Sequence, residues 1–527
     1  MRCSRLKLLS PWRTSTILRG TGAQPLAPPS YGTGSGPTVS GGTQRQGESG
    51  DCTAKRVTTS GNRPRSPSWK VVLALLSLVL SLLLWVGGLL DSLQRPSVGN
   101  ALSQRQLELA ALAAPQLPVQ LKEALVGAVP ERQLLDELNR QAKETSTAGT
   151  PESSANLLQR ALLEANFGRS DAARDLYRQL QQAGPPLDQR PLVEALLGGD
   201  RLPSERAELL SAPVSHQELL HQLACQQLLK PGPGAPAASC RNEAAERTAA
   251  VQLVVVNVLP AFALLLGLAL LVRELWQRWR GKAPAAPALL APPLTLVDVT
   301  LLVAGGFVVL GDLVTPLVIR PPAEALLRAL QIGSPLAEGL SVVIFYLGLM
   351  SCPLLILALM LRSRVPPEGG WLQFRWQPLG LNLRRAFKGF LMVLPLVSLV
   401  GWLQSLLLGD PGGSNPLLEL VLQSDNLPTL LCFALTAVVL APLFEEAIFR
   451  GVLLPVLGRE FGMGWGIMAS SLVFGVAHLS LGELPPLFVL GLGLGWLRWS
   501  SGRLGACVLM HGLWNAITFT NLVVLGS

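Results

Sequence analysis

The sequence predicts an all-α, polytopic membrane protein of about nine spans, carrying one helical domain outside the bilayer. Three observations predict this. Only 15% of the 527 residues are charged while 49% are hydrophobic, where a soluble domain carries about 25% charged residues. Apolar runs of span length recur along the chain. One long interval, 92–248, has no such run and reads instead as polar helix.

Residues 1–69 are rich in Gly, Ser, Thr and Arg, and their only acids are Glu48 and Asp51. Such a segment buries too little apolar surface to order itself, so a disordered basic tail is expected. A targeting segment has similar composition, and so would residues upstream of a displaced start. The run 71–90 is uninterruptedly apolar and forms the first span, within 70–91. Residues 92–248 place Gln, Glu, Arg, Ala and Leu at helical spacing. Within them Gly168, Ala173, Tyr177 and Pro185 fall where a tetratricopeptide helix pair puts its packing residues. A single repeat-like unit is equally met by any helical hairpin, since a solenoid needs about three.

Eight further apolar segments follow, near 250–272, 295–318, 340–361, 388–408, 428–449, 463–480, 484–498 and 504–525. Those up to residue 388 are additional membrane helices, and 389–527 form a separate C-terminal membrane domain. The net charge of +9 is an orientation signal, not a nucleic-acid footprint, because the basic residues sit in the tail and in alternate loops. Arg273, Arg278, Arg280 and Lys282 follow the second span. Arg362, Arg364, Arg375, Arg384, Arg385 and Lys388 precede the fifth, and Arg498 and Arg503 separate the last two. The loop with Asp410, Glu419 and Asp425 has no basic residue. The tail is therefore expected in the cytoplasm, with 92–248 and the C-terminus on the far side. A bacterial inner membrane, a photosynthetic membrane and an organellar membrane all fit. None of the seven cysteines forms a CxxC pair, which removes ribbon-type zinc and redox motifs. On the far side Cys225 and Cys240 would meet oxidising conditions, where a disulfide and two free thiols are both open.

The chemistry-bearing residues lie in three of the last four apolar regions. The sixth span contains Glu445-Glu446-x-x-x-Arg450, the seventh ends in Phe474-x-x-x-His478, and the ninth carries His511-x-x-x-Asn515. A carboxylate in hydrocarbon costs about 2.5–3.5 kcal/mol on insertion scales, so two together require a polar cavity. Residues four apart share a helical face, which pairs Glu446 with Arg450 and aligns His511 with Asn515. Adjacent Glu445 points about 100° away from Glu446 and is left to face the cavity and both histidines. One carboxylate and two imidazoles around a water can polarise it and pass a proton to a leaving amine. The blander readings are an interhelical ion-pair staple for the glutamates and hydrogen-bonding glue for the histidines and Asn515. Asp298 and Asp312, fourteen apart in the third span, read as helix-end residues, with a proton relay as the alternative.

Together the three motifs closely resemble those of the CPBP family, which includes type II CAAX prenyl endopeptidases and bacteriocin-processing and immunity proteins. The resemblance covers roughly 390–525. It implies a helical membrane core and hydrolysis of a peptide bond in a membrane-associated, lipidated or leader-bearing substrate. It implies that Glu445 activates water with Glu446 in support, that His478 and His511 are catalytic, and that Asn515 stabilises the oxyanion, with Arg450 and Phe474 as structural support. Zinc, if used, would draw on His478, His511 and Glu445, although no HExxH motif is present. Two other readings are a catalytically silent scaffold or protective factor that binds a protein partner through 92–248, and a proton-coupled transporter, for which paired repeats are lacking. One conflict of depth remains: a seventh span starting at Met463 buries His478 ~20 Å deep, beyond the glutamates. It is removed if the sixth helix runs on to about Leu457.

Overall fold

The computed structural model describes residues 67–526 apart from 94–97, 128, 148–150, 187–188, 199–217, 229–239, 409–415 and 423. The tail expected at 1–69 lies outside the described residues up to position 66. The first span, α1 (Ser68–Ser92), buries only Ala74, Ser77, Ser81 and Ser92, a stripe of small residues on one face. Ser81 Oγ donates to the Ala304 carbonyl at 3.3 Å, and a side chain at Gly305 would sit 3.1 Å from Ser77 Oγ. Small residues let two membrane backbones approach in this way.

Seven helices follow in the polar interval: α2 (Val98–Ala113), α3 (Val119–Leu125), α4 (Pro130–Thr147), α5 (Ser154–Asn166), α6 (Ser170–Ala183), α7 (Arg190–Gly198) and α8 (Glu218–Leu228). The α5–α6 pair is a hairpin turned at Gly168, whose φ of 76° suits a residue without Cβ. Ala173 and Tyr177 are buried in its core with Leu134, Leu138, Leu162 and Leu180. A disulfide joins Cys225 to Cys240, with Cα atoms 5.6 Å apart, which resolves the alternative left open by the sequence. It ties α8 to the start of α9 (Glu243–Trp279), which Asn242 caps by accepting from Ala245 N at 3.3 Å. Along α9, Gln106 of α2 and Gln116 of the turn after it donate to Asn257 at 2.8 Å and to Glu246 at 2.9 Å. The domain is thus seated directly on the membrane helices.

The remaining membrane elements are α10 (Leu296–Ala329), α11 (Leu336–Leu361), α12 (Leu379–Leu408), the short α13 (Pro416–Leu422), α14 (Leu427–Phe461), α15 (Met463–Val476), α16 (Leu484–Ser501) and α17 (Leu504–Gly526). Seven helices among the described residues are long and apolar enough to cross a membrane, where the sequence suggested about nine. The two that fall short are α15 and α16. With 14 residues, α15 reaches only ~21 Å, against ~30 Å of hydrocarbon. The chain is a multi-pass membrane protein whose seventh and eighth segments form a short hairpin.

One end of the bundle gathers the basic residues. Lys70 pairs with Asp298 at 3.1 Å and Lys388 with Glu274 at 2.6 Å. Arg459 donates to the Pro292 and Leu294 carbonyls at 3.1 and 2.6 Å. Arg503 donates to the Arg375 and Gln377 carbonyls, both at 2.7 Å. At the other end, Arg105 of α2 donates to the Leu525 carbonyl at 3.0 Å, and Leu109, Ala113, Ala249, Leu253 and Leu525 share a core. The 92–248 domain therefore sits at the end opposite the basic loops.

Candidate active site

The paired glutamates stand midway along α14, because that helix continues 11 residues beyond Arg450 to Phe461. This supplies the extension that the depth of His478 required. Pro442 has no N–H to give the helix, and the backbone on either side of the Glu pair, 435–440 and 449–453, winds as wider π-helical turns. Such turns are frequent at functional sites.

Glu446 and Arg450 are fully buried. Arg450 Nη1 donates to Glu446 Oε1 at 2.9 Å, as their spacing predicted. The same oxygen lies 3.0 Å from His511 Nδ1. That contact departs from the sequence reading, which turned His511 toward Glu445. The reason is that Gly512 admits the carbonyl of Val438 to 2.9 Å of where a Cβ would stand, so α17 lies close along α14 and brings its histidine onto the Glu446 face. Arg450 Nη2 also donates to the Gly491 carbonyl at 3.2 Å, and its guanidinium sits 4.3 Å from the centroid of Phe474.

Phe474 is the hub of the aromatic packing. Its ring meets Phe449 at 5.5 Å, His478 at 4.8 Å and His511 at 5.6 Å, each edge to face. His478 stands just past the end of α15 and its Nδ1 lies 2.8 Å from the Phe474 carbonyl. A carbonyl can only accept, so this nitrogen carries the proton, and Nε2 is left with a lone pair in the neutral ring. The same reasoning applies to His511 Nδ1 against a carboxylate. Asn515 spends one N–H on the Ala437 carbonyl at 2.8 Å, leaving its second amide hydrogen available.

Glu445 is oriented differently. Its Oε1 accepts from Tyr346 Oη at 3.0 Å, while Oε2 is buried without a hydrogen-bond partner among the described residues. Glu445, His478, His511, Asn515 and Tyr346 all line one cavity of about 1020 Å³. Tyr346 was missed in the sequence because a lone tyrosine in an apolar span carries no spacing signal.

Arg498 corrects a second expectation. Counted above as a loop charge, it is fully buried within α16. Its Nε donates to the Arg450 carbonyl and its Nη2 to that of Leu372, both at 3.2 Å. Asp298 is a helix-end residue, caught in a capping box with Thr295, whereas Asp312 lines the cavity. Among the described residues no group of three His, Cys, Asp or Glu side chains is placed to hold a metal ion.

With this geometry in hand, the comparisons with known proteins divide the chain in two. Residues 427–517 match the type II CAAX prenyl endopeptidase Rce1-like family, and that span contains every motif residue of the site. The resemblance carried by the three motifs is thus shown for this segment. Residues 99–251 match a domain of unknown function, DUF8675. An uncharacterised 24.3 kDa protein of Escherichia coli is 34% identical over 103 residues, 19% of this chain. The chain spans about half, 48%, of the length of that curated relative. No solved structure matches.

Proposed function

We propose that the protein is a membrane-embedded endopeptidase in which Glu445 activates a water held in the cavity. The observation that carries this reading is the unpartnered Oε2 of Glu445, buried in the same cavity as His478, His511 and Asn515. A buried carboxylate oxygen without a partner is costly, and a bound water or substrate group satisfies it. In the reaction Glu445 takes a proton from the water as its oxygen attacks the peptide carbonyl. Tyr346 fixes the carboxylate meanwhile. The developing oxyanion accepts from the second N–H of Asn515. The C–N bond then breaks and the proton held by Glu445 passes to the leaving amine. Glu446 takes no proton here. It orients His511 and offsets the charge of Arg450.

The donor set supports a water better than a metal, because among the described residues no group of three His, Cys, Asp or Glu side chains is placed to hold one. Accordingly no step passes through zinc. The substrate class supported is a peptide segment of a membrane-associated protein, and the family's prenylated or leader-bearing substrates are candidates within it.

The test is hydrolysis of labelled peptide libraries by the purified protein in proteoliposomes, with Glu445→Gln and His478→Ala beside it. Loss of cleavage in both variants, at unchanged folding, supports the reading, and full activity in both removes it. A second reading, a scaffold acting through residues 99–251, is favoured by the extent to which that domain is seated on α9 and α17. It predicts that the glutamate variants remain functional in cells while deletion of the domain is not tolerated.

A further inference from the structure

The two ends of the bundle are chemically different, and the cavity belongs to one of them. The basic end collects the start of α1 (Lys70), the end of α14 (Arg459), the start of α17 (Arg503), the loop before α12 (Arg375) and the first turns of α12 (Arg384). The cavity does not reach it. Its inner wall is Glu445, Phe449 and His511, and from there its lining rises along the opposite halves of the same helices. It meets Asp91 at the end of α1, Leu417 and Val421 of α13, Glu483 beyond α15, and Thr518 and Phe519 in the last turns of α17. Asp91 and Thr518 are exposed there. No Lys or Arg occurs among the described residues that line it.

The end that receives the mouth is also where the 92–248 domain is seated. Arg105 reaches the last turn of α17 at Leu525, and Leu102 joins Val421, Phe433 and Leu522 in one apolar cluster. That domain holds the Cys225–Cys240 disulfide, a bond that persists in oxidising compartments. Positive charge marks the cytoplasmic side of a membrane protein. The lining of the cavity, the charge distribution and the disulfide thus agree on one direction.

We propose that the site is entered from the non-cytoplasmic face, so that its substrates are peptide segments displayed on that side, beside the disulfide-bonded domain, and not cytoplasmic tails. This rests on the endopeptidase reading for the word substrate, but the direction of access does not. A water, a peptide or a regulatory segment would all have to arrive by the same mouth. Cytoplasmic peptides would have to cross the packed layer formed by Phe449, Phe474, Arg450 and Arg498, all fully buried.

The experiment measures access and cleavage separately. Single cysteines are placed at Thr518 and Pro316, both lining the cavity, in full-length protein whose other thiols are serine except for the disulfide pair. Controls carry Arg364→Cys on the basic loop and Asp171→Cys on the domain, both exposed. A membrane-impermeant charged thiol reagent is applied to sealed vesicles of either orientation. The expected result is labelling of Thr518→Cys and Pro316→Cys only in the vesicles in which Asp171→Cys is labelled. Labelling of both in the vesicles that expose Arg364→Cys overturns the proposal. Because labelling needs no turnover, it stands even if Glu445→Gln proves harmless, an outcome that would remove the endopeptidase reading alone. A fusion presenting one cleavable sequence on either face completes the test. Cleavage confined to the Asp171 side supports the proposal, and cleavage confined to the other side contradicts it.

Discussion

Glu446 Oε1 receives both Arg450 Nη1, at 2.9 Å, and His511 Nδ1, at 3.0 Å. One buried oxygen therefore holds three motif residues from two helices in register. Removing one partner of a buried pair strands the other charge, which typically costs about 3–5 kcal/mol. Arg450→Leu is expected to lower the thermal midpoint of the detergent-solubilised protein steeply, and a midpoint unchanged from wild type would contradict the role given to Arg450.

Tyr346 offers a finer test, because Tyr346→Phe keeps the ring stacked on Phe444 and removes only the donor to Glu445. A hydrogen bond to a charged group is worth about 1.5–3 kcal/mol. Cleavage should fall in kcat by about 10- to 100-fold, with KM and folding little changed. Steady-state kinetics on a labelled peptide checks this, and an effect on KM alone would assign Tyr346 to binding.

Helix contacts make a third prediction. A Cβ at Gly267 would collide with the Leu391 carbonyl oxygen, whereas nothing lies within 4 Å of one at Gly401. Gly267→Ala must push α9 away from α12, and overpacking of this kind costs about 1–3 kcal/mol. Gly401→Ala should be neutral or slightly stabilising, since alanine is the better helix former. Thermal unfolding of the two variants side by side decides it.

In the polar domain, the Cys225–Cys240 bond closes a separation of 15 residues. A loop of that size gives about 3 kcal/mol of stabilisation in the chain-entropy account. Cys240→Ser should remove the mobility difference between reduced and oxidised samples on a gel and increase proteolysis of residues 92–248.

Chelation gives the last test. With no three-ligand group among the described residues, activity should survive treatment with a strong zinc chelator, and loss of activity restored by zinc would show that the ligands rearrange around a metal.

Much of this was legible in the sequence. The i,i+4 spacing of Glu446 and Arg450 forced their pairing, and the depth of His478 forced α14 to run past 449. Charge alternation placed the domain and the basic loops at opposite ends. What was not legible depended on interhelical distance. Glycine at 512 decides which carboxylate His511 meets, and spacing within one helix says nothing about that. Tyr346 is isolated in sequence by 99 positions from Glu445. Arg498 looks like a loop residue because it lies near the end of an apolar run, yet its guanidinium closes carbonyls deep in the bundle. The sequence suggested about nine spans and seven helices are long and apolar enough to cross, because apolar composition continues through α15, a helix of only 14 residues.

The turn between α15 and α16 is held by residues far from it in the chain. Ser92 Oγ accepts from Leu481 N at 3.3 Å, and Gln404 Nε2 donates to the Gly482 carbonyl at 2.6 Å. The loop that presents His478 thus borrows its support from the first and fifth crossings. An excised cassette of the C-terminal ninety residues would keep every signature residue and still lose the scaffold that aims one of its two imidazoles. Recombinant work on this enzyme-like region must therefore begin no later than Ser68.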